Sequence, residues 1–184
     1  DLRMSRGLGD VYKRQPFYYY DKTLLSNTLA KLIRLAGERN YHIHYAVKAN
    51  ANPEILKLIA ASGIGADCVS GGEIKAALEA GFPAKKIVFA GVGKADWEIE
   101  YALEKKIFCF NVESAEELSV IEELAKKKEN IASIALRINP NIDAHTHEYI
   151  TTGLSENKFG IPIEMLDSIF SQIQRSCLLY TSPS

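Results

Sequence analysis

The chain has 184 residues, 47% of them apolar and 24% charged, with a formal net charge of −1. That balance belongs to an ordinary folded protein of about one domain and excludes a disordered tail, a collagen-like fibre and a disulfide-dense miniprotein. Near-neutral charge offers no global attraction to nucleic acid or to a membrane surface, and no apolar run reaches membrane-spanning length.

In chain order, residues 1–15 carry four basic and two acidic side chains with no helical or alternating period. A helix is expected over Thr23–Arg39. Short β-branched or aromatic runs then recur at His42–Lys48, Ala66–Ser70, Ile87–Ala90, Ile107–Val112 and Ile131–Asn139, each followed by an amphipathic helical stretch. Helix starts are marked by Asn52 before Pro53, and by the Ser-x-x-Glu boxes Ser70–Glu73 and Ser114–Glu117. The last nine residues, 176–184, interrupt an amphipathic helix. They and residues 1–15 resemble translated sequencing-adapter sequence, so 1–15 and 176–184 are expected to be non-native tails. The body between them, residues 16–175, is a partial barrel domain with 18 basic and 21 acidic groups, a net charge of −3.

Strands alternating with helices every 20 to 27 residues imply right-handed βαβ units and a parallel sheet. A doubly wound nucleotide-binding sheet would show Gly-x-Gly-x-x-Gly after its first strand, whereas here that strand ends in Lys48-Ala49-Asn50. The expected fold is therefore α/β, an incomplete (β/α)8 TIM barrel cut after about five to six βα units, since a full barrel takes around 250 residues.

Active sites of parallel α/β folds lie at the C-terminal strand ends, where Lys48, Asp67 and Arg137 interrupt apolar runs. Period two places His42, His44, Ala46 and Lys48 on the barrel-facing side of the first strand, and Ala135, Arg137 and Asn139 on that of the fifth. A lysine in a barrel mouth can act as nucleophile or Schiff-base former. Asp67 and Arg137 fit two readings equally, a structural ion pair or a pair that positions a cofactor and tunes its charge.

Tyr45-Ala46-Val47-Lys48-Ala49-Asn50 and Gly65-Ala66-Asp67-Cys68-Val69-Ser70-Gly71-Gly72-Glu73 closely resemble the barrel domain of pyridoxal-phosphate-dependent amino-acid decarboxylases, the alanine-racemase-like barrel group. Leu136-Arg137-Ile138-Asn139-Pro140 adds a third match. The stretch from His145 to Gly153, with Asn157-Lys158-Phe159-Gly160, is similar to the diaminopimelate branch of that family. The resemblance implies pyridoxal 5'-phosphate as cofactor, Lys48 as its Schiff-base residue, and Asp67 and Arg137 beside the cofactor and its lysine. It implies decarboxylation of meso-2,6-diaminopimelate to L-lysine in lysine biosynthesis, by a homodimer of which this chain is an N-terminal fragment, inactive alone. By the same analogy Phe17–Tyr20 is a strand of a second, β-rich domain. The family's glycine-rich phosphate loop and acid cysteine would lie outside this chain.

Other readings carry less. The pairs His42/His44 and His145/His147 have metal-binding spacing but no acidic or cysteine partner, so no metal is expected. Ser70-Gly71-Gly72 at a helix start suits phosphate, yet helix capping accounts for it. Three cysteines, Cys68, Cys109 and Cys177, fit neither a disulfide framework nor zinc spacing; they point to a reducing cytoplasm, with Cys68 and Cys109 in the core rather than nucleophilic. Alternatives to the diaminopimelate activity are another basic amino-acid decarboxylase, or a single-barrel protein that binds pyridoxal phosphate without turnover.

Overall fold

A computed structural model describes residues 18–140, 159–176 and the backbone of 179–181. Helix α1 (Lys22–Gly37) leads into β1 (His44–Ala46), α2 (Pro53–Ala61), β2 (Gly65–Cys68), α3 (Gly71–Ala80) and β3 (Ile87–Phe89). The alternation continues through α4 (Asp96–Lys105), β4 (Cys109–Val112), α5 (Ala115–Lys127) and β5 (Ala132–Leu136). Short strands β6 (Ile138–Asn139) and β7 (Ile161–Pro162) pair with each other; α6 (Leu166–Arg175) and β8 (Leu179–Thr181) follow.

The main sheet runs β1-β2-β3-β4-β5-β8 with every pairing parallel. Strands in unbroken chain order are the barrel's topology, whereas a doubly wound sheet reverses its order at a switch point. One sheet face is buried under the helices: Ala66, Cys68, Ile87, Phe89, Phe110, Val112 and Ile134 share a core with Ile59, Ile74, Ile99, Leu118 and Ile121. On the other face Ala46, Asp67, Val88, Cys109, Asn111 and Ser133 are half-buried and Ala135 is exposed. That is the interior side of a (β/α)8 barrel, of which these are six strands. Phe89 and Phe110, fully buried and 6.1 Å apart between ring centroids, tie β3 to β4. Truncating either to alanine would cost about 3–5 kcal/mol.

The helix starts follow the sequence. Asn52 accepts from the Glu54 and Ile55 N–H groups with Pro53 as first helical residue. The Ser70 and Ser114 hydroxyls accept from the Glu73 and Glu117 N–H groups. In both boxes the glutamate reaches one residue further back than the usual partner, Glu73 to the Val69 N–H at 2.8 Å and Glu117 to the Glu113 N–H at 3.0 Å. The buried Glu98 joins two helix starts, accepting from Gly71 N–H at 2.7 Å and Ala95 N–H at 2.9 Å.

Two expectations need correction. The first strand stops at Ala46, because Val47–Ala49 close a 3-10 turn in which the Asn50 N–H donates to the Val47 carbonyl. Lys48 thus sits on a turn just beyond the strand. Tyr18–Tyr20 form no strand: they are exposed and no neighbouring chain pairs with them among the described residues, while Phe17 lies outside those residues. The first helix spans Lys22–Gly37, within two residues of the expected bounds, and Asp21 caps it through the Thr23 and Leu24 N–H groups. Strand β8 falls within 176–184 and lies beside β5, Ala132 opposite Leu179.

Candidate active site

At the C-terminal strand ends, the register aligns Ala46 with Asp67, Asp67 with Val88 and Val88 with Cys109 across the interior face. Lys48 follows two residues after Ala46, exposed on its turn. Its charge and that of His44 act on Asp67 and draw the carboxyl downward, but burial is the larger effect and holds it above the ordinary carboxylate value. Asp67 Oδ1 is buried and finds no hydrogen-bond partner among the described residues. A buried orphan acceptor beside a lysine leaves room for a donor or cation that the described residues do not supply.

Arg137 lies between β5 and β6 and is held from two sides. Its Nη1 donates to both Glu113 oxygens, at 3.0 and 2.9 Å. The guanidinium carbon lies 5.8 Å from the Phe159 ring centroid, within cation–π range. Gly160, at φ +103°, packs so closely that a Cβ would stand 3.0 Å from the Arg137 carbonyl oxygen. That carbonyl accepts the Ile161 N–H at 2.7 Å. Positive φ and lack of space both require glycine here.

The ion-pair alternative for Asp67 and Arg137 does not hold, since the carboxylate on Arg137 is that of Glu113. Three strand steps separate β2 from β5, about 14 Å at 4.8 Å per step, beyond the reach of a direct bond. The structure therefore brings Lys48 close to Asp67 and places Arg137 across the same sheet end. Sequence reasoning missed Glu113, Glu117 and Lys94, which all join the Arg137 end. Lys94 had a signal: it is a charged residue in the glycine-containing loop between β3 and α4, on the same C-terminal side of the sheet as Lys48.

The remaining sequence candidates separate clearly. His44 stacks on Phe108 at 6.1 Å and points away from the Lys48 end; burial lowers its pKa more than the Asp67 charge raises it. It lines an apolar recess of about 420 Å³ at the N-terminal ends of β1 and β2, together with His42 and Gly65. Ser70 and Gly71 already serve Glu73 and Glu98, so capping uses the groups a phosphate would need. Cys68 is in the core with its thiol pushed up to about 12; Cys109 faces the interior side, and burial pushes it up to about 11. Neither is a ready thiolate. His145, His147, Asn157, Lys158 and Cys177 lie outside the described residues. Among the described residues no helix is long and apolar enough to cross a membrane.

Comparison with known proteins bears on this geometry. The family described as "Pyridoxal-dependent decarboxylase, pyridoxal binding domain" matches residues 26–179. A diaminopimelate decarboxylase of Bacteroides thetaiotaomicron is 62% identical over 155 residues, covering 84% of this chain and 40% of that protein. Among solved structures, a variant of the Helicobacter pylori diaminopimelate decarboxylase complexed with L-lysine superposes with a TM-score of 0.82 at 44% identity, over 92% of this chain and 43% of the other. The diaminopimelate decarboxylase of M. jannaschii, in co-complex with L-lysine, gives 0.75 at 38% identity, over 87% and 38%. The chain thus spans about 40% of the length of the curated relatives it matches.

Proposed function

Because this chain belongs to the pyridoxal-dependent decarboxylases, through their pyridoxal-binding domain, we propose that it is part of a diaminopimelate decarboxylase, which converts meso-2,6-diaminopimelate to L-lysine and carbon dioxide. The observation that carries the substrate is the 62% identity with the Bacteroides thetaiotaomicron protein of that name. Residues 16–175 are then the native body of a partial barrel, and the whole protein is a cytoplasmic homodimer with a small amino-acid substrate.

The residues present fit pyridoxal 5'-phosphate: a lysine amine on the turn just after β1, and beside it an aspartate whose buried Oδ1 has no donor among the described residues. When bound, the cofactor supplies an electron sink for the pair left behind as carbon dioxide departs. Lys48 would hold it covalently, from a turn fixed by the Asn50–Val47 hydrogen bond. Asp67, anchored within the parallel sheet on β2, would keep positive charge near that lysine. Arg137 would stand beside the cofactor, its direction set by Glu113 and Phe159. Hydrophobic packing under the sheet holds these strand ends rigid, which is what positioning chemistry needs.

The test uses the whole protein that carries this chain. Loaded with pyridoxal phosphate and reduced with borohydride, it should carry the cofactor mass on Lys48, and it should release carbon dioxide from meso-2,6-diaminopimelate. A label on another lysine overturns the role of Lys48. Turnover of ornithine or arginine instead, or of no amino acid at all, overturns the substrate.

A further inference from the structure

Lys94 turns back into the protein after β3, and its side chain is only 1% exposed. Its ammonium donates to the carbonyls of Gly91 at 2.7 Å and Asn111 at 2.8 Å, and to Glu117 Oε1 at 2.6 Å. It also lies 5.4 Å from the Phe89 ring centroid. Three donors and three acceptors satisfy it completely, as a desolvated ammonium requires. The other Glu117 oxygen accepts the Glu113 N–H at 3.0 Å, and the Glu113 carboxylate takes both bonds from Arg137. A line of contacts therefore runs from the β3–α4 loop through the start of α5 to Arg137, hydrogen-bonded at each end and carried through Glu113 itself from its backbone N–H to its carboxylate.

We propose that Lys94 is a positioning residue, which sets the place of Arg137 through Glu117 and Glu113. The proposal rests on the reading of Arg137 as a residue beside the cofactor. Without the ammonium, Glu117 would be a poorly exposed carboxylate four residues from the still more buried Glu113, with Arg137 the one cation of this line left to serve both. Two like charges in a poorly solvated site repel. Glu113 would shift, and the fixed two-bond grip on Arg137 would loosen. A lysine serving surface solubility or a simple surface ion pair would have no need of complete burial, which has a desolvation cost that only full pairing offsets.

The test is a double-mutant cycle in the whole protein, reading the dissociation constant of pyridoxal phosphate by titration and the thermal midpoint of the cofactor-free form. Lys94→Met should weaken cofactor binding by about tenfold or more, the scale of a lost charge-assisted hydrogen bond. In an Arg137→Ala background the same substitution should weaken it no further. A Lys94→Met protein that melts lower yet binds cofactor as wild type does, or effects of the two substitutions that multiply, overturns the proposal. Should Lys94→Met fail to fold, Glu117→Gln keeps an acceptor for the Glu113 N–H while removing the paired charge, and the same cycle with the same two outcomes decides. A wild-type protein that takes up no cofactor overturns the functional reading and this proposal with it. Wild-type binding with independent effects overturns only the proposal.

Discussion

Arg137 Nη1 donates to both carboxylate oxygens of Glu113, at 3.0 and 2.9 Å, joining the end of β5 to the end of β4. Glu113 is nearly buried while Arg137 is half-exposed, so the pair is anchored at its acidic end. Its value is direction more than stability: solvent screens a half-exposed guanidinium, and the pair contributes about 1 kcal/mol.

Glu113→Gln tests that division. The amide can keep one hydrogen bond to Arg137 but not the charge-assisted pair. Denaturant unfolding of the whole protein should move by about 1 kcal/mol or less. Cofactor retention on dialysis should fall clearly below wild type. Unchanged retention would mean that Glu113 does not direct Arg137.

Gly160→Ala should be costly in both stability and site geometry. The backbone there has φ +103°, and the new methyl group would meet the Arg137 carbonyl oxygen at 3.0 Å and the Asn139 nitrogen at 3.2 Å. A strained backbone of this kind costs about 1–3 kcal/mol, before any displacement of β6. Differential scanning calorimetry of the two proteins measures it, and a midpoint equal to wild type would rule out the close packing.

Asp67→Asn should separate stability from function. Burial raises the Asp67 carboxyl above its ordinary value, against the opposing pull of Lys48 and His44. A group whose folded pKa exceeds its unfolded one contributes stability that is fully present below the unfolded value of about 3.9, and lost as the pH rises through the folded value. At pH 7 the ionised carboxylate is thus a net cost to the cofactor-free protein. The asparagine variant should be more stable than wild type at pH 7 without cofactor, lose that advantage near pH 3, and take up cofactor poorly. Urea midpoints at the two pH values check the sign; a wild type more stable at pH 7 would refute the account.

Residues 16–175 expressed alone should aggregate. On the interior face Val88 is only half-buried and Ala135 is exposed, and β1 is an open parallel edge whose other neighbour is missing among the described residues. Such an edge invites pairing with another chain. Light scattering after purification tests this, and a monomer that unfolds cooperatively and binds pyridoxal phosphate would contradict it.

Local chemistry made much of this readable in the residues. The helix starts were legible because a cap depends on neighbours in sequence: Asn52 before Pro53, or Ser70 and Ser114 three residues ahead of a glutamate. Alternation along β5 likewise assigned Ile134 and Leu136 to the helix side and Ala135 to the interior. Lys48 and Asp67 stood out because charge is rare at the end of an apolar run. Glu113 and Glu117 did not, for a glutamate beside a capping serine looks the same whether solvated or buried. Even the Ser114–Glu117 box hid its use, because its carboxylate serves Glu113 and Lys94 rather than the cap residue.

By itself, then, the sequence determined the period of strand and helix, the helix starts and the strand-end residues Lys48, Asp67 and Arg137, all of which depend on residues a few positions apart. Tertiary structure alone decided which charges meet. The order of strands keeps Asp67 three steps from Arg137 and gives that arginine to Glu113. Burial leaves Asp67 Oδ1 without a donor among the described residues and closes Lys94 inside. The physical reason is that an ion pair depends on distance and desolvation across the fold, neither of which is a local property of the chain.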